Sequence, residues 1–360
     1  MPLRALIVDD SAVAREVLTL ALREDPAIDV VTAPNATIAG DKIRQQRPDV
    51  VVLDIELPGV NGLAFLERLM AEEPIPVVVC SSVAQPGAMA AVRALELGAV
   101  EVIEKPCLNS VAMFVSGGRF LHEIVRDAAG ARVRRATHTL PTPTKQVASA
   151  LPSDWPPWHG PVIVIGASTG GTDAIRTVLS ALPHDAPPTV IVQHMPAAFT
   201  SAFANRMNAF TAMDVREARD GDALRPGLAL IAPGGRQIEI ARRATTHIVR
   251  VFDGNPVSGH RPSVDVLFRS AAKMLGRRAV GALLTGMGAD GAEGLLRMRA
   301  QGAHTIAQNE RTCVVFGMPK EAIVRGGAVD VLPLDQIGAM ALYASKRVGP
   351  GTSTHTIDRG

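Results

Sequence analysis

A serine, a histidine and an aspartate follow three separate apolar runs of this chain, and together they have the makings of nucleophilic catalysis. Val162 to Ile165 leads into Gly166-Ala167-Ser168-Thr169-Gly170-Gly171, Val190-Ile191-Val192-Gln193 into His194-Met195-Pro196, and Ala282-Leu283-Leu284-Thr285 into Gly286-Met287-Gly288-Ala289-Asp290-Gly291. Such runs read as buried parallel strands, and in open parallel sheets ligand sites form beyond the strands' carboxyl ends. Ser168 would be the nucleophile, His194 would take its proton and return it to the leaving group, and Asp290 would fix the imidazole's tautomer and charge. The small residues after the first run predict a sharp turn into a helix starting near Thr172. Amides there, or at Met287, are candidates to meet an oxyanion.

Plainer readings compete at each position. Ser168 or Thr169 could merely cap a helix, His194 could be a hydrogen-bonded structural residue, and Asp290 could cap the helix after Gly291. His260 and His304 are rival bases, and Asp253 and Asp265 rival orienters; Ser263 and Asp265 otherwise serve a helix start. The order Ser, His, Asp departs from the Ser, Asp, His of α/β hydrolases, so geometry must decide. The glycine loop lacks both G-x-G-x-x-G and a following Gly-Lys-Ser/Thr, which disfavours a nucleotide site.

A second cluster lies in the first third of the chain. Asp9 and Asp10 follow the run Ala5 to Val8, Asp54 follows Val50 to Leu53, Ser81 follows Val77 to Cys80, and Lys105-Pro106 follows Val100 to Ile103. Three carboxylates at one sheet edge repel one another unless a hard cation sits among them, and oxygen ligands suit Mg2+. One aspartate could then attack a phosphoryl donor, with Lys105 and Ser81 on the phosphoryl oxygens.

The elements that must position these groups alternate in a βα rhythm. The fold class expected is α/β with two doubly wound parallel-sheet domains, flavodoxin-like over residues 1–129 and Rossmann-like over 161–345, the latter with a β-hairpin insert formed from Gln237 to Ile240 and Ile248 to Phe252. A Pro-rich and Arg-bearing linker spans 130–160, and residues 346–360 read as a disordered tail. Arg132, Arg134 and Arg135 read as a solvated run, with an interdomain contact as the sharper alternative; Trp155 and Trp158 could anchor the linker's end. At 360 residues, 47% hydrophobic and net charge +2, the chain has room for two cores and no charge bias toward nucleic acid. Three scattered cysteines argue against a disulfide framework or thiolate zinc site, and no leader or membrane span is evident, so a soluble, cytoplasmic and monomeric protein is expected.

The setting of the carboxylate cluster resembles a known family. Leu6-Ile7-Val8-Asp9-Asp10-Ser11, Asp54-Ile55-Glu56-Leu57-Pro58-Gly59-Val60-Asn61-Gly62, Ser81 and Lys105-Pro106 are similar to the receiver domain of two-component response regulators. The resemblance implies that Asp54 is the phosphoacceptor, that Asp9, Asp10, Asp54 and the Glu56 backbone carbonyl hold Mg2+, that Ser81 and Lys105 are the switch residues, and that a sensor histidine kinase is the donor. Val102 stands where many receivers have an aromatic, which puts an aromatic switch in doubt. The Ser168, His194 and Asp290 segments, with Arg261-Pro262-Ser263-Val264-Asp265-Val266-Leu267-Phe268, Ala307-Gln308-Asn309-Glu310 and Cys313-Val314-Val315-Phe316-Gly317-Met318-Pro319, resemble the chemotaxis methylesterases of the CheB family. That implies a Ser168, His194, Asp290 triad, a backbone oxyanion contact from Met287, and methylated glutamates on chemoreceptor cytoplasmic helices as substrate, with glutamine deamidation as a further activity. The non-enzyme alternative is a response regulator that only docks, carrying a vestigial hydrolase domain.

Overall fold

A computed structural model describes residues 2–58, 61–82, 84–105, 115–116, 119–133 and 156–347. The first sheet contains β1 (Leu3–Val8), β2 (Ile28–Ala33), β3 (Val50–Asp54), β4 (Val77–Ser81) and β5 (Glu101–Glu104), parallel in the order β2-β1-β3-β4-β5. Helices α1 (Ala12–Arg23), α2 (Ala36–Gln45), α3 (Gly62–Glu72), α4 (Gln85–Glu96) and α5 (Leu121–Ala129) cover it. Ser11, Asn35 and Asn61 each cap the helix that follows with a side-chain oxygen, so the turns into α1, α2 and α3 are fixed by local chemistry. A short hairpin, β6 (Val115–Ser116) with β7 (Arg119–Phe120), precedes α5 and has no counterpart in the sequence reading.

The second sheet has seven strands, all parallel: β8 (Val162–Ala167), β9 (Thr189–Gln193), β10 (Asp214–Glu217), β11 (Leu228–Ile231), β14 (Ala279–Leu283), β15 (His304–Gln308) and β16 (Asp330–Leu332), in the order β10-β11-β9-β8-β14-β15-β16. Every residue of β8 is buried, as a central strand faced on both sides requires. β9 and β14 flank β8, so Ser168, His194 and Asp290 all belong to the carboxyl edge of three adjacent strands. The hairpin β12 (Gln237–Arg243) with β13 (Thr246–Phe252) forms as expected and packs Ile238, Ile240, Val249 and Val251 into one cluster with Leu267 and Phe268 of α8 (Val264–Leu275). The other helices are α6 (Gly171–Ser180), α7 (Ala197–Phe210), α9 (Ala292–Ala300), α10 (Met318–Val324) and α11 (Leu334–Arg347). Periodicity alone did not pick out β10, β11 or β16; β10 and β16, of four and three residues, carry charge at the sheet edges.

The two units share a packed junction. Ala88, Ala91 and Leu95 of α4 lie in one apolar cluster with Phe199, Phe203 and Met207 of α7, and Glu96 accepts a hydrogen bond from Arg206 Nη2 at 2.8 Å. Arg132 donates to the Glu310 carboxylate at 2.8 Å, while its backbone N–H bonds Val314. Trp158 packs against the second core and donates its indole N–H to Pro161. Arg134, Arg135, Trp155, Pro106 and the chain beyond Arg347 lie outside the described residues, and α11 continues through Lys346 and Arg347, two residues into the stretch read as tail.

Candidate active site

The turn after β8 is pinned from three directions. Ser168 donates its backbone N–H to Thr285 O at 3.0 Å, the Gln193 amide donates to Ser168 O at 2.9 Å and to His194 O at 3.1 Å, and the Thr285 hydroxyl lies 3.0 Å from Thr169 O. Gln193 and Thr285 thus bind the ends of β8, β9 and β14 into one piece. Glycine is required at two points. A Cβ on Gly286 would lie 2.7 Å from Ser168 Cβ, and Gly170 enters α6 at φ +72 with Val314 only 2.5 Å from any added Cβ.

His194 Nε2 lies 2.8 Å from Asp290 Oδ2. The carboxylate is also held by the start of α8: Ser263 Oγ donates to it at 2.7 Å, Val264 N–H at 2.7 Å and Asp265 N–H at 3.1 Å. Burial works against the charge on Asp290, but the His194 hydrogen bond and charge, followed by Ser263 and Asp265, outweigh it and hold the carboxyl below its usual range. An acceptor carboxylate puts the imidazole proton on Nε2, leaving a lone pair on Nδ1. That Nδ1 is buried and has no hydrogen-bond partner, so Ser168 Oγ does not yet donate to it in this arrangement. Three polar groups at adjacent strand ends, one of them a base with an open lone pair, can deprotonate a hydroxyl. The amides of Thr169, in the turn, and Met287, in the β14 loop, take part in no hydrogen bond among the described residues.

The rival assignments are placed elsewhere. His304 begins β15, at the opposite end of the sheet, where its Nε2 pairs with Asp330 Oδ2 at 2.8 Å. Asp253 is an exposed partner of Arg236. Asp265 is buried, its carboxyl pushed up first by desolvation, and it accepts from Gly294 N at 2.7 Å and Arg269 at 3.2 Å. His260 alone approaches the cluster, its ring stacked on that of His194 with centroids 3.7 Å apart. Sequence reasoning left Ser263 to a helix start and gave Gln193 and Thr285 no role. Their common signal was a polar residue at the last position of an otherwise apolar strand, or at an N-cap facing a carboxylate.

At the edge of the first sheet, Asp9, Asp10 and Asp54 offer carboxylate oxygens within 4.8 Å of one another. Lys105 Nζ donates to Asp54 Oδ2 at 2.6 Å and pairs with Asp9 Oδ2 at 2.9 Å, a buried oxygen with no other partner. Desolvation raises the Asp9 carboxyl; it would lower Lys105, but hydrogen bonds to Asp54 and Asp9 outweigh it and raise the ammonium instead. Three carboxylates within reach of one another, with a single lysine among them, are hard oxygen donors that fit a small divalent cation such as Mg2+. Ser81 is fully buried, its hydroxyl 3.1 Å from Gly87 O, and Glu56 donates its N–H to Asp54 Oδ1 at 2.9 Å.

The first sheet touches the turn directly. Gly170 N–H reaches Val100 O, the residue before β5, at 3.3 Å, and Thr169 Oγ1 lies 2.8 Å from the Glu101 carboxylate.

Comparison with known proteins places both units. The family description CheB methylesterase matches residues 163–341, and response regulator receiver domain matches residues 5–113. A curated relative from Anaeromyxobacter dehalogenans, named protein-glutamate methylesterase/protein-glutamine glutaminase 1, is 51% identical over 94% of this chain and 98% of its own. One from Pseudomonas aeruginosa, named protein-glutamate methylesterase/protein-glutamine glutaminase 2, is 45% identical over 98% of this chain and 99% of its own. The solved CheB methylesterase catalytic domain of Thermotoga maritima is 36% identical over 51% of this chain and 98% of its own, with TM-score 0.50.

Proposed function

The chain belongs to the CheB methylesterase family, and from that premise we propose that it is a phosphorylation-activated serine hydrolase acting on glutamate methyl esters of chemoreceptor cytoplasmic helices. Ser168 is the nucleophile, His194 the base and Asp290 the orienter. The observation that carries this is the His194 Nε2 bond to Asp290, which leaves the buried Nδ1 open beside the Ser168 turn. Nδ1 takes the hydroxyl proton as Oγ adds to the ester carbonyl, and the oxyanion is met by the N–H of Met287 and of Thr169. The imidazolium then protonates the leaving methoxide, methanol departs, and a water activated by Nδ1 hydrolyses the acyl-serine. An amide leaving as ammonia follows the same path, which accommodates glutamine deamidation.

Asp54 is the phosphoacceptor, charged by a sensor histidine kinase. Asp9, Asp10, Asp54 and the Glu56 carbonyl would hold Mg2+, which neutralises charge on the phosphoryl group. Lys105 and Ser81 would read the phosphorylated state. In the docked arrangement Val100 and Glu101 hold the very turn that carries Ser168, so undocking frees it to close on Nδ1. No helix among the described residues is long and apolar enough to cross a membrane, in keeping with a cytoplasmic partner of receptor helices. Methanol release from a methylated receptor fragment, measured with and without a phosphoryl donor, tests the proposal: donor-stimulated release supports it, and no release from a folded, phosphorylated chain sinks it in favour of a docking role.

A further inference from the structure

His194 is held at two points along one line, and that line leaves a motion open. Its Cβ is fixed by the end of β9, and Nε2 is fixed by Asp290 at 2.8 Å. An imidazole pinned at those points can still turn about the axis joining them, and Nδ1 lies off that axis. Such a turn swings the basic lone pair toward or away from Ser168. No hydrogen bond opposes it, because Nδ1 has no partner.

The ring of His260 lies against this one free coordinate. The two imidazoles are stacked with centroids 3.7 Å apart and planes within 7°. His260 is itself well held. Val257 and His260 exchange backbone hydrogen bonds across the two-residue turn Ser258-Gly259, both at positive φ (52 and 79), as a tight turn of this hand demands. Its Nδ1 lies 2.7 Å from Ser258 O, which fixes its own ring. Gln237, buried on β12, donates to His260 O at 3.2 Å and accepts from Ser263 N at 2.9 Å. One short segment therefore supplies both the plate against the His194 face and, through Ser263 to Asp265, the cradle of Asp290.

We propose that His260 is a positioning residue for the hydrolysis, setting the plane of the His194 ring, and thereby the aim of Nδ1, through face-to-face stacking. It takes no proton in the reaction. The inference rests on the assignment of His194 as base. A misaimed lone pair slows the chemical step, where displacements near 1 Å cost about a hundredfold, and leaves substrate binding alone.

The test uses the full-length chain treated with a small-molecule phosphoryl donor, with steady-state methanol release and the rate of Ser168 labelling by a fluorophosphonate as readouts. His260→Leu fills the volume without a flat face; His260→Phe restores the face and gives up the bond to Ser258. His260→Leu should lower kcat about ten- to a hundredfold with KM within about twofold, and slow labelling in parallel. His260→Phe should return kcat to within about fivefold of the parent. Equal kcat for the Leu and Phe variants, or a parental kcat in the Leu variant, overturns the proposal; so does a loss confined to KM or matched by a lost folded fraction in circular dichroism. His194→Ala separates the two layers: if it retains near-parental turnover the triad reading fails, whereas a dead His194→Ala beside a fully active His260→Leu removes only the role given to His260.

Discussion

The two sheet edges carry the same kind of equipment and are finished differently. At the edge of the first sheet, two buried carboxylates share one lysine beside an exposed third, and Asp9 Oδ2 has no partner besides that ammonium. At the edge of the second, Asp290 has donors on every side: His194, Ser263, Val264 and Asp265. Several carboxylates sharing a single counter-charge in a buried place are costly, and the cost falls when a cation arrives. Such an edge is suited to changing state. A carboxylate with four partners is suited to staying as it is through many turnovers, and the open lone pair of the second edge, on His194 Nδ1, is where chemistry enters.

If this contrast is sound, removing the open chemistry should cost most. Ser168→Ala should reduce methanol release at least about a thousandfold while leaving the fold intact, and near-normal release would break the contrast at its base. Asp54→Asn should abolish labelling by the phosphoryl donor and with it all donor-dependent stimulation, while unstimulated hydrolysis persists; phosphate found on another residue would move the switching site. Trimming the satisfied edge should cost less. Ser263→Ala removes one of four donors to Asp290 and is expected to lower kcat about tenfold, in keeping with about 1.5–3 kcal/mol for a hydrogen bond to a charged group, only part of which is felt in the transition state. At the junction, Glu96→Gln weakens the bond to Arg206 and should raise hydrolysis without donor about two- to fivefold, measured against an unchanged donor-saturated rate. The smallest effect is in titration. Since the folded Asp290 carboxyl lies below its ordinary value of 3.8, its stabilisation is present above that pH and is lost only as pH falls through the depressed value. A carbon-13 titration of Asp290 should stay flat from neutrality to about pH 4, and in Ser263→Ala its midpoint should move upward.

Much of this was legible in the sequence because strand ends are legible. Apolar runs such as Val162 to Ile165 and Val50 to Leu53 declare parallel strands, and whatever polar residue follows them stands at the carboxyl edge. What a linear reading could not supply was strand order. Only the order β9-β8-β14 makes neighbours of His194, Ser168 and Asp290, and only the far end of β15 removes His304 as a rival. The cradle of Asp290 was hidden for a related reason: Ser263 looks like an N-cap, and it is one in position, yet its hydroxyl serves a carboxylate 27 residues away rather than its own helix. The grip of Val100 and Glu101 on the turn depends on how two independently folded sheets meet, which no local pattern encodes.

The engagement of His194, with Nε2 on Asp290 and Nδ1 left to work, bears on how this site would travel to another scaffold. Its working nitrogen is bonded directly to the ring carbon that carries the side chain, so the lever arm from backbone to reacting atom is short. The position of the base is inherited mainly from the end of β9, and only its aim is left to the turn of the ring. A designer transplanting the three residues by matching rotamers would miss what holds them; the portable unit is the pair of strand ends, bolted together by the amide of Gln193.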